Sequence, residues 1–98
     1  MVRVPAFKLI LEPIDAAARN LEPFLAPQEL IGKRHQLGGE PTFIREPEWP
    51  LCAACHERMS FYGHLDSIND EYGLADGGMI YVFVCYNDFE VKAVFQTF

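Results

Sequence analysis

Three cysteines carry the most specific chemical signature of this chain. Cys52 and Cys55 form a C-x2-C pair inside the string CAACH, and Cys85 follows farther along the chain. A C-x2-C pair occurs in zinc half-sites, in redox disulfides and, when a histidine follows as His56 does here, in haem attachment sites. These three chemistries place different demands on the surrounding sequence.

The sequence disfavours haem attachment and redox chemistry. Proteins with attached haem mature outside the cytosol, and the N-terminal stretch up to Pro13 lacks the features of a secretory signal peptide. A redox C-x2-C pair needs a helix N-terminus, whose dipole stabilises the thiolate. The segment after Cys55 instead leads into a predicted strand. We therefore expect neither haem nor a redox disulfide.

Zinc coordination fits the cysteine spacing better, because a C-x2-C turn lets two sulfurs reach one tetrahedral ion. Cys85 ends a predicted strand, and Asp88 lies in the turn that follows it. The alternative, which the spacing leaves open, is that all three cysteines are packed as small hydrophobic side chains. For a structural zinc ion, the candidate ligands are Cys52, Cys55, Cys85, Asp88, His56 and His64.

Length, composition and charge limit the class of protein. The chain has 98 residues, half of them hydrophobic, which predicts a single domain over residues 1–98. Eight basic and fourteen acidic side chains give a net charge of −6, which opposes binding to nucleic acid. No apolar run is long enough for a membrane span. Three cysteines without an export signal predict a cytoplasmic protein.

The two halves of the chain differ in their local patterns. All seven prolines lie in residues 1–50, where they limit helices to short turns with predicted starts at Asp15 and Pro27. Residues 51–98 have strand patterns at 59–65, 79–85 and 90–98, and the last two form a predicted hairpin. The predicted fold class is therefore α+β, mainly antiparallel β-sheet, with an irregular Pro-rich half and a regular β-rich half.

The strand patterns also predict which side chains face the core. Segment 79–85 is apolar on both faces, which predicts a central strand covered on both sides. A chain this short has little material for such a cover, so we expect self-association, in the simplest case as a homodimer. On the two other strands, the residues predicted to face the core are Met59, Phe61, Leu65, Val91, Ala93 and Phe95.

An ordered series of short motifs runs through residues 35–98. It consists of HQLGGEP at 35–41, WP at 49–50, the C-x2-C pair, MSF at 59–61, LDS at 65–67 and DGGMIYVF at 76–83. In this order the motifs resemble the YwqG-like family of uncharacterised bacterial proteins, of which this chain would be a compact version. Cysteine-bearing members often have a second C-x2-C in the hairpin, where this chain has Asp88, and glutamine is common at the position of His64.

The resemblance implies a β-rich protein without established enzymatic activity. Because some members are encoded near polymorphic toxins, it also implies an immunity role. We therefore expect a binding protein with no catalytic residues, whose acidic second half covers a basic protein toxin. The alternative is a small structural zinc protein. The carboxylates expected to contact the partner are Asp66, Asp70, Glu71 and Asp76.

Overall fold

One antiparallel sheet organises the molecule. The computed structural model describes residues 2–21, 32–69 and 71–98. Within these ranges, five strands follow one another across the sheet in chain order, each pairing with its neighbours in sequence. The strands are β1 (Phe7–Lys8), β2 (Gln36–Leu37), β3 (Ser60–Asp66), β4 (Met79–Val84) and β5 (Val91–Gln96).

The predicted α+β class is wrong, and the protein belongs to the β class. In the described part of the chain, helical structure is confined to α1 (Ala16–Arg19), which has four residues and buries none of them. Asp15 caps this helix as predicted, since its Oδ1 accepts a hydrogen bond from the N–H of Ala18 at 2.9 Å. Pro27 lies outside the described residues. No helix in the described ranges has the length and apolar character needed to cross a membrane.

A β-bulge in β3 reverses the predicted alternation of side chains. The register with β4 shifts between Phe61 and Gly63, so one extra residue enters the strand there. Before the bulge Phe61 is buried, as predicted. After the bulge His64 is buried and Leu65 is 46% exposed, so the prediction that Leu65 faces the core is wrong.

The core lies on one face of the sheet, beneath the irregular segment 41–51. Trp49 donates its indole N–H to the carbonyl of Met59 at 2.6 Å, and the Tyr81 hydroxyl donates to the carbonyl of Thr42 at 2.8 Å. The Pro-rich half therefore supplies the layer that covers the sheet. The buried apolar residues are Cys52, Met59, Phe61, Met79, Tyr81, Phe83 and Cys85, against which Phe43, Ile44 and Trp49 pack.

The opposite face of the sheet is apolar and largely uncovered. We call this surface the open face. It consists of the pairs that β4 and β5 form, together with Leu65 of β3: Val84 with Val91, Val82 with Ala93, and Ile80 with Phe95. Val91 is 60% exposed and Phe95 50% exposed. The predictions that the alternate apolar residues of β5 face the core and that β4 is covered on both sides are therefore wrong.

On β5, the polar side chains of Lys92 and Gln96 share the covered face with Val94, which packs against the core. Gln96 is buried there, where its Oε1 accepts from the N–H of Arg45 at 3.0 Å and its Nε2 donates to the carbonyl of Glu46 at 2.7 Å. Lys92 donates to the carbonyl of Leu51 at 3.2 Å. The covering segment is irregular, so its backbone N–H and carbonyl groups are not paired with a neighbouring strand. These groups instead form hydrogen bonds with the polar side chains of β5.

Candidate metal centre

Two turns with the same backbone pattern meet at one end of the sheet, where β4 ends and β3 and β5 begin. In the 52–57 turn, the first N–H donates to the last carbonyl at 2.8 Å and the fifth N–H donates to the first carbonyl at 2.8 Å. In the 85–90 turn, the matching distances are 2.8 and 2.7 Å. The fifth residues, His56 and Phe89, have φ values of +62° and +60°. The two backbones therefore follow the same path.

This equivalence relates the side chains of the two turns by position. Cys52 corresponds to Cys85, and Cys55 corresponds to Asp88. Asp88 thus stands where the second cysteine of a second C-x2-C pair would stand. The Oδ1 of Asp88 accepts the N–H of Glu90 at 3.1 Å, and carboxylates that bind metals are commonly held by such hydrogen bonds.

The four side chains bring their ligand atoms together. One ligand atom each from Cys52, Cys55, Cys85 and Asp88 lies within 4.8 Å of the other three. The Sγ atoms of Cys55 and Cys85 are 3.7 Å apart, and the Sγ of Cys52 is 3.2 Å from Oδ2 of Asp88. Tetrahedral zinc with bonds of about 2.3 Å to sulfur and about 2.0 Å to oxygen separates such atoms by about 3.8 and about 3.5 Å. The cluster therefore has nearly the dimensions of a zinc site.

The cysteines are free thiols. A separation of 3.7 Å between Cys55 and Cys85 far exceeds the length of a disulfide, about 2.05 Å. The 52–57 turn is followed by β3 and not by a helix, so the helix N-terminus that activates a redox C-x2-C pair is missing from this part of the chain. The arrangement favours shared coordination over sulfur–sulfur bonding.

Two neighbouring carboxylates favour the protonated form of the Cys52 thiol. The N–H of Cys55 lowers the pKa of Cys52, but burial and the carboxylates of Asp88 and Glu90 raise it, so that it reaches about 12. The Cys52 thiol accordingly donates to Asp88 at 3.2 Å and to Glu90 at 3.2 Å. A dication bound here would replace this proton, because metal ligands must be deprotonated.

The pKa of Cys55 is shifted in the opposite direction, below its usual value. The N–H of Glu57 lowers the pKa of Cys55, and the amide of Asn87 lowers it further against the effect of burial. The Nδ2 of Asn87 is 3.8 Å from the sulfur. The pKa of Asp88 is also lowered, chiefly by the hydrogen bond from Cys52. The surroundings therefore lower the pKa of two of the four side chains in the cluster.

The structure brings together four of the six predicted ligands. Neither predicted histidine belongs to the cluster. His56 is exposed, and His64 lies in β3 with its ring 5.4 Å from Phe61 and 5.5 Å from Tyr81. The sequence pattern missed Glu90, which lies beside the cluster: its Oε2 is 3.2 Å from the sulfur of Cys52. The parallel strings CAACHE and CYNDFE contained the signal for this residue.

The carboxylates predicted to contact a partner have different environments. Asp66 is buried, and Arg34 binds it with two hydrogen bonds of 2.7 and 2.8 Å. It therefore contributes nothing to an acidic surface. Glu71 and Asp76 are exposed, and Asp70 lies outside the described residues.

Comparison with known proteins finds a relative among uncharacterised bacterial proteins. Over 80 residues, the chain is 36% identical to a Salmonella typhimurium (strain LT2) protein described as "Uncharacterized protein YpfL". The chain resembles an uncharacterised bacterial protein. The match covers 79% of this chain but 18% of that protein, so the chain spans less than a fifth of the relative. No family model matches the chain, and no solved structure matches it.

Proposed function

We propose that this protein is a small β-sheet module stabilised by a structural zinc ion. The equivalence of the 52–57 and 85–90 turns, with four ligand atoms within 4.8 Å of one another, carries this proposal. The ion would join the chain before β3 to the loop between β4 and β5. Three thiolates make zinc the preferred metal, because soft sulfur ligands select against magnesium and calcium.

The number of ligands indicates a structural role for the ion. Structural zinc sites have four protein ligands, whereas catalytic sites have three and leave one position to water or substrate. Here Cys52, Cys55, Cys85 and Asp88 would fill all four positions. We therefore propose a non-enzymatic protein. Since its three cysteines are free thiols, we also propose a cytoplasmic location.

Native mass spectrometry combined with elemental analysis tests the zinc site. We expect one zinc per chain, absent from Cys55→Ser and Cys85→Ser variants, which should also melt at a lower temperature. Asp88→Asn should lose zinc to a chelator sooner than the control Asp76→Asn, which changes an exposed carboxylate away from the cluster. A metal-free protein whose melting temperature does not respond to zinc or to a chelator would contradict the proposal.

We also propose that the chain belongs to the YwqG-like family, which is more specific than a resemblance to an uncharacterised bacterial protein. The motifs that carry it lie on the sheet: HQLGGEP spans β2 and the turn after it, MSF begins β3, and DGGMIYVF leads into β4. In the turn after β2, Gly38 and Gly39 have φ values of +61° and +68°, which favour glycine. The backbone of this turn therefore explains the two glycines of HQLGGEP, and this supports the resemblance.

An immunity role is the second candidate function. The exposed carboxylates of Glu71 and Asp76 lie on the loop between β3 and β4, in a half of the chain that has two basic and seven acidic residues. We propose that this loop covers a basic toxin surface. The double variant Glu71→Lys/Asp76→Lys should weaken capture of a toxin encoded beside the gene and reduce its salt dependence. Unchanged capture would contradict this role.

A further inference from the structure

Two of the three clustered cysteines form a close pair across the two turns. The Sγ atoms of Cys55, in the 52–57 turn, and Cys85, in the 85–90 turn, are 3.7 Å apart, and both residues are free thiols. A disulfide bond is about 2.05 Å long, so the two sulfurs would have to approach each other by about 1.7 Å. Side-chain rotation and small shifts of the turns can supply such a movement.

The three cysteines differ in their access to solvent. Cys55 is partly exposed, whereas Cys85 is 5% exposed and Cys52 is 1% exposed. An oxidant from solvent therefore reaches Cys55 most easily and meets Cys85 next to it. Redox-sensitive cysteines commonly have this arrangement, in which an accessible thiol lies beside a second thiol that completes the disulfide.

Hydrogen bonds set Cys52 apart from this pair. Its Sγ lies 3.2 Å from Oδ2 of Asp88 and 3.2 Å from Oε2 of Glu90, and the thiol donates to these carboxylates. Joining Cys52 to Cys55 would break both hydrogen bonds, whereas joining Cys55 to Cys85 breaks neither. Burial and hydrogen bonding therefore select the same two cysteines for a disulfide, one from each turn.

We propose that Cys55 and Cys85 are a redox-sensitive pair that hydrogen peroxide converts into a disulfide. The Cys55 thiol attacks one peroxide oxygen: an S–O bond forms, the O–O bond breaks, one water leaves and Cys55 becomes a sulfenic acid. The Cys85 thiol then attacks that sulfur: the S–S bond forms, the S–O bond breaks and a second water leaves. The two thiols lose two electrons and two protons, and the peroxide is reduced to two water molecules.

This disulfide differs from that of a catalytic C-x2-C pair. It joins cysteines of two different turns, 30 positions apart in the chain, and not the two cysteines of one turn. It needs no helix N-terminus, because the neighbouring turn supplies the second thiol. The pair is therefore a site of oxidative modification and not a catalyst of disulfide exchange.

The consequence for the metal rests on the proposed zinc site. Cys55 and Cys85 are two of its four ligands, so their oxidation leaves Cys52 and Asp88 alone. Thiolates bind zinc, and a structural site needs four protein ligands. Oxidation should therefore release the ion. The disulfide then links the same two turns that the ion linked.

Disulfide mapping by mass spectrometry tests the pair without reference to zinc. Full-length protein stripped of metal with a chelator is treated with millimolar hydrogen peroxide, alkylated and digested. We expect a bond between Cys55 and Cys85, with Cys52 recovered as the alkylated thiol. A Cys52–Cys55 bond as the main product, or three unchanged thiols, would overturn the proposal.

Two serine variants separate the roles of the cysteines. Cys52→Ser should still form the Cys55–Cys85 disulfide. In Cys85→Ser the second step is blocked, so dimedone should trap the sulfenic acid on Cys55. A folded Cys85→Ser variant without this adduct would overturn the order of attack. The wild-type mapping needs neither variant and decides the pairing if one of them fails to fold.

Zinc release distinguishes this inference from the proposed function. With zinc-loaded protein, a chromogenic chelator should detect one zinc for each disulfide formed, and dithiothreitol should restore zinc binding. Reduced protein that never binds zinc would contradict the proposed function and leave the mapping to judge the pair. Zinc retained by protein with a mapped Cys55–Cys85 bond would overturn the consequence for the metal.

Thermal melting tests whether the disulfide preserves the fold. Because a disulfide restricts the unfolded chain, the oxidised metal-free protein should melt at a higher temperature than the reduced metal-free protein. A lower melting temperature would show that the bond distorts the two turns, and would overturn the claim that it takes over their link.

Discussion

Cys55 and Asp88 occupy equivalent positions in two turns whose backbone hydrogen bonds match. In the second turn the N–H of Glu90 binds Asp88, and in the first turn the N–H of Glu57 lowers the pKa of Cys55 in the same relative position. One site thus combines three sulfurs with one oxygen. Asp88, which supplies the oxygen, is the proposed zinc ligand whose replacement is the most informative test of the site.

Replacing Asp88 by cysteine should tighten zinc binding, since it completes two equivalent C-x2-C turns around a soft metal. We expect an affinity increase of about tenfold or more for Asp88→Cys, measured by competition with a chromogenic chelator. Asp76→Cys, which adds a thiol at an exposed position outside the cluster, should leave the affinity unchanged. Equal affinities for both variants and the wild type would argue against Asp88 as a ligand.

The three thiols should differ in reactivity when the metal is removed. Cys55 is partly exposed and its pKa is lowered, whereas Cys52 is buried with a pKa raised to about 12. Because the thiolate is the reactive form, limited iodoacetamide should modify Cys55 before Cys52. Peptide mapping by mass spectrometry measures the order, and added zinc should suppress both reactions. Preferential modification of Cys52 would contradict the described environment of the two thiols.

Asp66 should make the fold sensitive to acid. Burial raises the pKa of Asp66, but hydrogen bonds from Arg34 and Ser67 lower it by more, so it lies below its usual range in the folded protein. The stabilisation is therefore complete above the unfolded pKa of about 3.9, and is lost as the pH falls through the lower folded value. Urea titrations across this range should show the loss in the wild type.

The Asp66→Asn variant should lack this acid dependence. It should also be less stable at neutral pH by about 2–3 kcal/mol, because Arg34 loses its buried partner. Asp76→Asn is the exposed control. Identical acid titrations of Asp66→Asn and the wild type would rule out the ion pair as the cause of the acid sensitivity.

His64 affects stability in a different pH range. Burial lowers the pKa of His64 in the folded protein, so protonation of the unfolded chain below about pH 6.5 destabilises the fold.

The open face should mediate self-association. Two apolar sheet faces pack at about 10 Å, and a second copy would cover Val91 and Phe95, which are 60% and 50% exposed. Sedimentation analysis should show a wild-type dimer that Phe95→Glu converts to a monomer. Ile14→Glu, which adds the same charge at a residue 94% exposed and outside the sheet, should remain dimeric. A monomeric wild type at high micromolar concentration would contradict the prediction.

The sequence predicted the three long strands because their patterns are local: 59–65 and 90–98 alternate, and 79–85 is a short continuous apolar run. It failed at β3 because one inserted residue reverses every later side chain, and a pattern with period two does not reveal a bulge. In β5 it assigned the apolar residues to the core, whereas the covering segment 41–51 pairs with polar Gln96. Which face of a strand is covered depends on the partner layer, and that layer has no periodic pattern here.

The candidate site was easier to predict than the fold class. Spacing alone identified the turn of Cys52 and Cys55, and position after a strand identified Cys85 and Asp88. His64 was named because it is a good ligand type, but its place in β3 buries it beside Phe61 and Tyr81, outside the cluster.

The cysteine cluster joins turns that are far apart in the chain, with β3 and β4 between them. An unfolded chain cannot hold these four side chains at one point, so the binding free energy of the proposed zinc ion would become free energy of folding. In a cell starved of zinc, the same polypeptide would populate its unfolded form and be open to proteolysis. Its lifetime would then follow the zinc supply, and its abundance would serve as a record of the metal nutrition of the cell.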